Sequence, residues 1–91
     1  MIKIHLEIPY SSIAFLKSDY NYTQYVVYQN HLGLTRLVEK YDDEHEEPWF
    51  ELYKQETLVG AGYGEQINRS FVGFGGVSFK IELVFSSFKL G

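Results

Sequence analysis

Apolar residues alternate with polar ones near both ends of the chain, and this pattern constrains the fold more than any other. Residues Val77–Phe85 place five apolar side chains at every second position, and Ile2–Ile8 place four. A period of two is typical of a strand with one buried and one polar face. Tyr22–Tyr28 and Ser70–Phe74 are predicted strands because they are rich in aromatic and β-branched residues. We therefore expect an antiparallel sheet with Val77–Phe85 in its interior, preceded by a hairpin turn at Gly75–Gly76.

The middle of the chain allows helices as well as strands. In residues 34–41, four apolar residues have the i, i+3, i+4, i+7 spacing of a helix, although the acids that follow would crowd its negative end. In residues 48–58, a proline at the first position favours a helix, although Trp49–Lys54 is rich in strand formers. Ser11–Lys17 offers a serine cap for another short helix. The glycines of Gly60–Gly64 predict a turn or a flexible loop.

Together these segments predict a small α+β domain that spans residues 1–91. We expect an antiparallel sheet of about four to five strands with one or two short helices. An all-β fold is the alternative, if residues 34–41 and 48–58 are strands. A chain of this length has a small core, so its eight tyrosines and seven phenylalanines must supply much of the buried area.

The negative charge of the chain is concentrated in one segment. Seven of the twelve acids lie between Glu39 and Glu51, where Lys40 is the single base, so this stretch has a net charge of −6. The remaining residues hold five acids and seven bases, a net charge of +2, which gives −4 for the whole chain. The densest part is Asp42–Glu47, which reads Asp-Asp-Glu-His-Glu-Glu and is followed by Pro48 and Trp49.

This acidic segment has three interpretations: a metal site, a solvated turn and a protein-contact surface. A metal site is disfavoured, because the spaced ligands and central glycine of a calcium loop are missing and His45 is a single histidine without fixed partners. A solvated turn requires only that the acidic side chains are exposed to water, and it implies no binding function. A contact surface would attract and orient a basic protein partner, with Trp49 beside it as an anchor.

Tyrosines are the second feature that points to a contact surface. Tyr20, Tyr22, Tyr25 and Tyr28 lie close together, and in a strand Tyr25 would face away from the other three. Exposed tyrosines contribute contact area at a small entropic penalty, whereas buried ones would complete the small core. The residues that we assign to a partner-binding surface are Asp42, Asp43, Glu44, Glu46, Glu47, Trp49, Tyr22 and Tyr25.

Several known motifs match the chain only in part. Gly60–Gly64 begins like a dinucleotide loop, but Glu65 stands where that fingerprint needs glycine. Val72–Phe79 agrees with five positions of the RNP1 pattern of RNA-recognition motifs, but it lacks the basic residue and one stacking aromatic. There is no cluster of bases for phosphate contacts and no nucleophile elbow. We therefore expect a non-enzymatic protein with no cofactor, no metal and no direct contact with nucleic acid.

Composition also indicates where the protein acts and what it does. Cysteine is absent, and we find neither a signal peptide nor an apolar run of about 18 residues, so we expect a cytoplasmic protein that does not enter a membrane. In composition the chain resembles small acidic inhibitors of nucleic-acid enzymes, such as phage anti-CRISPR proteins and bacterial immunity proteins. That resemblance implies an inhibitor that docks on a basic protein surface. The alternative is a structural or assembly subunit that forms a homo-oligomer through its sheet edges.

Overall fold

The computed structural model describes residues 2–9, 14–15, 22–28, 30, 32–72 and 78–90, and none of them is helical. The expected α+β fold is therefore wrong, and the all-β alternative describes the chain. Within these described residues there are eight strands: β1 (Ile2–Pro9), β2 (Ala14–Phe15), β3 (Tyr22–Val26), β4 (Arg36–Asp42), β5 (Glu47–Lys54), β6 (Thr57–Val72), β7 (Ser78–Phe85) and β8 (Lys89–Leu90). They form one antiparallel sheet in the order β1-β7-β6-β5-β4-β3-β2, with β8 paired to β6 beside this path.

The alternating segments near the two ends of the chain form strands, as predicted. Strand β1 pairs with β7 along its whole length, and β7 lies in the sheet interior between β1 and β6. The predicted strand Tyr22–Tyr28 corresponds to β3, and Ser70–Phe74 corresponds to the end of β6 as far as Val72. The predicted turn at Gly75–Gly76 lies outside the described residues. So does most of Ser11–Lys17, of which Ala14 and Phe15 form a strand instead of a helix.

The helix considered for residues 34–41 is wrong, because Arg36–Asp42 forms strand β4. Leu37 and Val38 are 0% and 1% exposed although they are adjacent. Adjacent side chains of a strand point to opposite faces, so both faces of β4 are covered at this point. Together with Leu34 three positions before and Tyr41 three positions after, this buried pair imitates the i, i+3, i+4, i+7 spacing of a helix.

The helix favoured for residues 48–58 is also wrong, because this region contains β5, a turn at residues 55–56 and the start of β6. Phe50 and Leu52 are buried, whereas Trp49, Glu51 and Tyr53 are half-buried. This is the alternation of a strand, and the packing of Phe50 and Leu52 decides the conformation against the proline signal.

The loop predicted at Gly60–Gly64 is wrong as well, because these glycines lie inside β6. The first half of β6 pairs with β5, and its second half pairs with β7. A Cβ atom on Gly62 would overlap the carbonyl oxygen of Ser87, which belongs to the segment after β7. Glycine is therefore required here for close approach of two backbones, and it does not mark a loop.

The sheet curls around a hydrophobic core. The backbone N–H of Tyr28 donates to the carbonyl oxygen of Glu7 at 3.0 Å, so the segment after β3 meets β1. We call the side of the sheet that faces the core the inner face and the opposite side the outer face. The inner-face core contains Ile4, Leu6, Ile8, Tyr25, Val27, Leu34, Leu37, Phe50, Leu52, Phe79, Ile81, Leu83 and Phe85.

Candidate interaction surface

The outer face of β3–β6 carries a row of side chains that crosses four strands. In the strand register, Tyr22 lies opposite Lys40, Lys40 opposite Trp49, and Trp49 opposite Tyr63. All four side chains are half-buried, and we call them the aromatic row. The Trp49 and Tyr63 rings meet edge to face with centroids 4.9 Å apart, and Lys40 Nζ lies 5.6 Å from the centre of the Tyr22 ring. An edge-to-face ring pair and a cation near an aromatic ring are both favourable, so the row is a packed surface layer.

Glu51 fixes the aromatic row from the neighbouring position. Its carboxylate accepts hydrogen bonds from Trp49 Nε1 at 3.1 Å and from the Tyr53 hydroxyl at 2.9 Å, and Lys40 Nζ lies 3.6 Å away. Burial raises the pKa of the Glu51 carboxyl, but the hydrogen bonds from Trp49 and Tyr53 and the charge of Lys40 outweigh that effect and leave the pKa below its ordinary value. The carboxylate thus stays ionised and holds the indole in one orientation.

Arg36 occupies the far end of the same face. Its guanidinium lies 4.2 Å from the centroid of the Tyr53 ring, and Nη1 donates to Gln24 Oε1 at 3.4 Å. Both cations on this part of the outer face, Arg36 and Lys40, are therefore engaged by neighbouring side chains. They do not form a free basic patch for phosphate groups.

The acidic segment forms the turn between β4 and β5, and we call Asp42–Glu47 the acidic turn. Strand β4 ends at Asp42 and β5 begins at Glu47. Asp42 Oδ1 accepts the backbone N–H groups of Glu44 at 3.0 Å and of His45 at 3.3 Å, which closes the turn. Glu46 has a φ of 54°. The exposed residues of the turn are Asp43, Glu44, His45, Glu46 and Glu47.

Asp42 connects the acidic turn to the aromatic row. Its Oδ2 accepts a hydrogen bond from the Tyr63 hydroxyl at 2.6 Å and lies 2.9 Å from His45 Nδ1. The hydrogen bond from Tyr63, and then that from His45, lowers the pKa of the Asp42 carboxyl from 3.8 to about 2. The same contact raises the pKa of the Tyr63 phenol. The turn and the row therefore form one continuous, ordered surface.

The structure places seven of the eight predicted contact residues on this surface. The five acids lie in the acidic turn, and Tyr22 and Trp49 lie in the aromatic row. Tyr25 does not belong to it, because it is 6% exposed and its ring packs edge to face on Phe79 in the core, with centroids 6.4 Å apart. Burial, followed by the charge of Glu39, raises the pKa of the Tyr25 phenol. The alternative interpretation, that some tyrosines complete the core, therefore holds for Tyr25.

Sequence reasoning missed the residues that hold this surface together. Lys40, Glu51, Tyr53 and Tyr63 make the contacts that fix Trp49 and Asp42. The sequence did contain a signal for part of this surface, because Trp49, Glu51 and Tyr53 stand at every second position. Had residues 48–58 been treated as a strand, this alternation would have predicted that the three side chains share one face.

Among the described residues, the group of side chains that comes nearest to a metal site lies in the acidic turn. Ligand atoms of Asp42, Glu44 and His45 lie within 4.8 Å of one another. Both Asp42 oxygens, however, already accept hydrogen bonds within the turn and from Tyr63. Hard cations take six or more oxygen ligands, so these three side chains do not support an assignment to a metal.

Among the described residues there is no helix that is long and apolar enough to cross a membrane. None of the protein-family models, curated proteins and solved structures compared with the chain matches it.

Proposed function

We propose that this protein is a non-enzymatic docking module that binds a basic protein surface through the acidic turn and the aromatic row. The observation that carries the proposal is the uncompensated charge of the turn. Asp43, Glu44, Glu46 and Glu47 are exposed, and their side chains make no hydrogen bond or ion pair with any described residue. Clustered charge of one sign steers an oppositely charged partner and sets its orientation.

The aromatic row supports the proposal because it is ordered before any partner binds. The hot spots of protein–protein interfaces are enriched in tryptophan, tyrosine and arginine. A side chain that is already fixed in the free protein also loses less conformational entropy on binding. The Trp49 indole donates a hydrogen bond to Glu51 and packs on the Tyr63 ring, and the Tyr63 hydroxyl donates a hydrogen bond to Asp42. A rigid, partly exposed indole beside a negative turn matches a partner surface that combines basic and apolar groups.

The class of partner follows from this charge and from the composition. Basic protein surfaces frequently serve to contact nucleic-acid phosphates, so a negative turn can occupy such a surface in their place. This is consistent with the inhibitor function that the compositional resemblance to anti-CRISPR and immunity proteins implies, and with a cytoplasmic setting. The same negative charge disfavours direct binding of nucleic acid.

Self-association through sheet edges has less support. The backbone N–H of Tyr28, just after β3, already donates to the carbonyl oxygen of Glu7 in β1. The curl of the sheet therefore occupies part of the β1 edge. Strand β2, at the other end of the strand order, and β8 each contain two residues in the described part of the chain, which leaves little edge for pairing with a second copy.

The experiment is affinity capture from the source cells, followed by binding measurements with the purified partner. Glu44→Lys reverses one charge in the acidic turn, and Glu56→Lys reverses one in the turn at the other end of β5. Both glutamates are exposed, so the pair is matched in charge and setting. We expect Glu44→Lys to weaken binding about tenfold at low salt, roughly 1.4 kcal/mol, and Glu56→Lys to leave it within about twofold.

Two results would contradict the docking proposal. One is equal weakening by the two reversals, which would mean that only the net charge matters. The other is a large homo-oligomer in light scattering that neither reversal disturbs, which would favour an assembly subunit.

A further inference from the structure

A groove lies on the outer face beside the acidic turn, where β5 and β6 separate. It is lined by Glu47, Pro48, Gly64, Glu65, Val84 and Ser86 and has a volume of about 290 Å³. Pockets that enclose small molecules have volumes of about 300–1,000 Å³ and bury most of the ligand. This groove lies at the lower limit of that range, and three of its lining residues, Glu47, Glu65 and Ser86, are exposed, so it suits one long side chain better than a free small molecule.

The groove results from the change of partner along β6. Pairing of β5 with β6 ends where Trp49 lies opposite Tyr63, and pairing of β6 with β7 begins where Gly64 lies opposite Phe85. Glu47 and Glu65 are each two positions beyond the Trp49–Tyr63 pair, so they point to the same outer face. One carboxylate thus comes from each of the two separating strands.

Neither carboxylate is neutralised within the described part of the chain. Glu47 and Glu65 are exposed, and no described residue forms a hydrogen bond or ion pair with their side chains. Lys3 lies opposite Val84 in the register of β1 and β7, but it pairs with neither glutamate. Like charges beside one groove repel each other, and a cation between them removes that repulsion.

We propose that this groove receives one arginine side chain of the basic partner, an inference that rests on the proposed docking function. A guanidinium presents five N–H donors in a planar fork and can bond to two carboxylates at once, whereas an ammonium is a compact point charge. Pro48 and Val84 are half-buried and offer apolar contact to the arginine stem. A metal ion fits less well, because the groove side chains supply two carboxylates and one hydroxyl where a hard cation needs about six oxygens.

The test uses two peptides that differ in one charge. One is acetyl-Lys-Gly-Arg-Gly-Lys-amide, and the other has neutral citrulline, of nearly the same shape, in place of the arginine. Binding to the full chain is followed through the amide signals of Gly64 and Val84 by NMR. The lysines supply general attraction to the acidic turn in both peptides, so the difference between the peptides reports the groove.

We expect the wild-type protein to bind the arginine peptide about tenfold more tightly than the citrulline peptide, since charge-assisted hydrogen bonds contribute on this scale. In Glu65→Gln this preference should fall to about twofold or less. Glu44→Gln, which lies outside the groove, should weaken both peptides and keep the tenfold preference.

Three results would overturn the groove assignment: equal binding of the two peptides to the wild type, an undiminished preference in Glu65→Gln, or no shift at Gly64 and Val84. If the amides of residues 43–46 still respond in those cases, the docking function stands without the groove. If capture and charge reversal contradict docking, the peptide preference shows separately whether the groove binds arginine.

Discussion

At the scale of single residues, Asp42 determines how the acidic turn is presented. One of its oxygens closes the turn through two backbone N–H groups, and the other binds the Tyr63 hydroxyl and His45. This carboxylate is thus committed to structure, whereas its neighbours Asp43 and Glu44 keep their charges exposed to solvent. The acidic run separates into one structural acid and four acids that are available to a partner.

The pKa of Asp42 tests this separation. The hydrogen bond from Tyr63 is the largest cause of the fall of this pKa to about 2, ahead of the hydrogen bond from His45, so removing the hydroxyl in Tyr63→Phe should raise the pKa toward 3.8. The ionised carboxylate favours the folded state above pH 3.8, and this contribution is lost as the pH falls toward 2. Titration of the Asp42 carboxyl carbon by NMR measures the pKa.

Tyr41→Phe is the control for that titration. Tyr41 is exposed and adjacent to Asp42, and no hydrogen bond joins the two side chains. It should leave the Asp42 titration unchanged. An Asp42 pKa that stays near 2 in Tyr63→Phe would mean that the tyrosine does not tie the turn to the aromatic row.

At the scale of secondary-structure elements, the hairpins limit what could be predicted from the sequence. The alternation of Ile2–Ile8 and Val77–Phe85 predicted two strands correctly, because each has one buried and one polar face. Both faces of β4 are covered at Leu37 and Val38, so its pattern resembles that of a helix. The turn at residues 55–56 lacks the usual glycine or asparagine, and β5 and β6 could not be separated there.

That missing glycine gives a prediction for the β5–β6 hairpin. Gln55 has a φ of 53°, whereas Glu56 is not among the residues with positive φ. Gln55→Gly should stabilise the protein by about 0.5–1 kcal/mol, because relief of the left-handed strain, about 1–2 kcal/mol, exceeds the entropy effect of about 0.4–1 kcal/mol that glycine has on the unfolded chain. The N–H of Gln55 donates to Thr35 Oγ1 at 2.6 Å, and glycine keeps this bond.

Glu56→Gly is the matched control, and it should destabilise the protein by roughly 0.4–1 kcal/mol because glycine increases the entropy of the unfolded chain. Urea denaturation midpoints at equal slope measure both changes. If both substitutions stabilise the protein, or both destabilise it, the assignment of a left-handed backbone to Gln55 alone is contradicted.

At the scale of the whole molecule, the charge distribution was the property that sequence revealed best. A body of net charge +2 with a segment of −6 predicted a local negative feature, and the structure places that segment in one hairpin, from the end of β4 through the acidic turn to the first half of β5. The aromatic row could not be predicted in the same way. Tyr22, Trp49 and Tyr63 are far apart in sequence, and they meet only through the register of β3 to β6. Register depends on long-range pairing, which local patterns do not contain.

Trp49 is the only tryptophan of the chain and lies in the middle of the proposed contact surface, so it offers the most direct measurement. Protein labelled with 5-fluorotryptophan should give a single ¹⁹F signal, recorded before and after addition of the captured partner. If the acidic turn and the aromatic row are the docking surface, the signal will shift and lose its solvent isotope effect as the complex forms. An unchanged signal in a complex that co-elutes as one species would contradict the proposed surface.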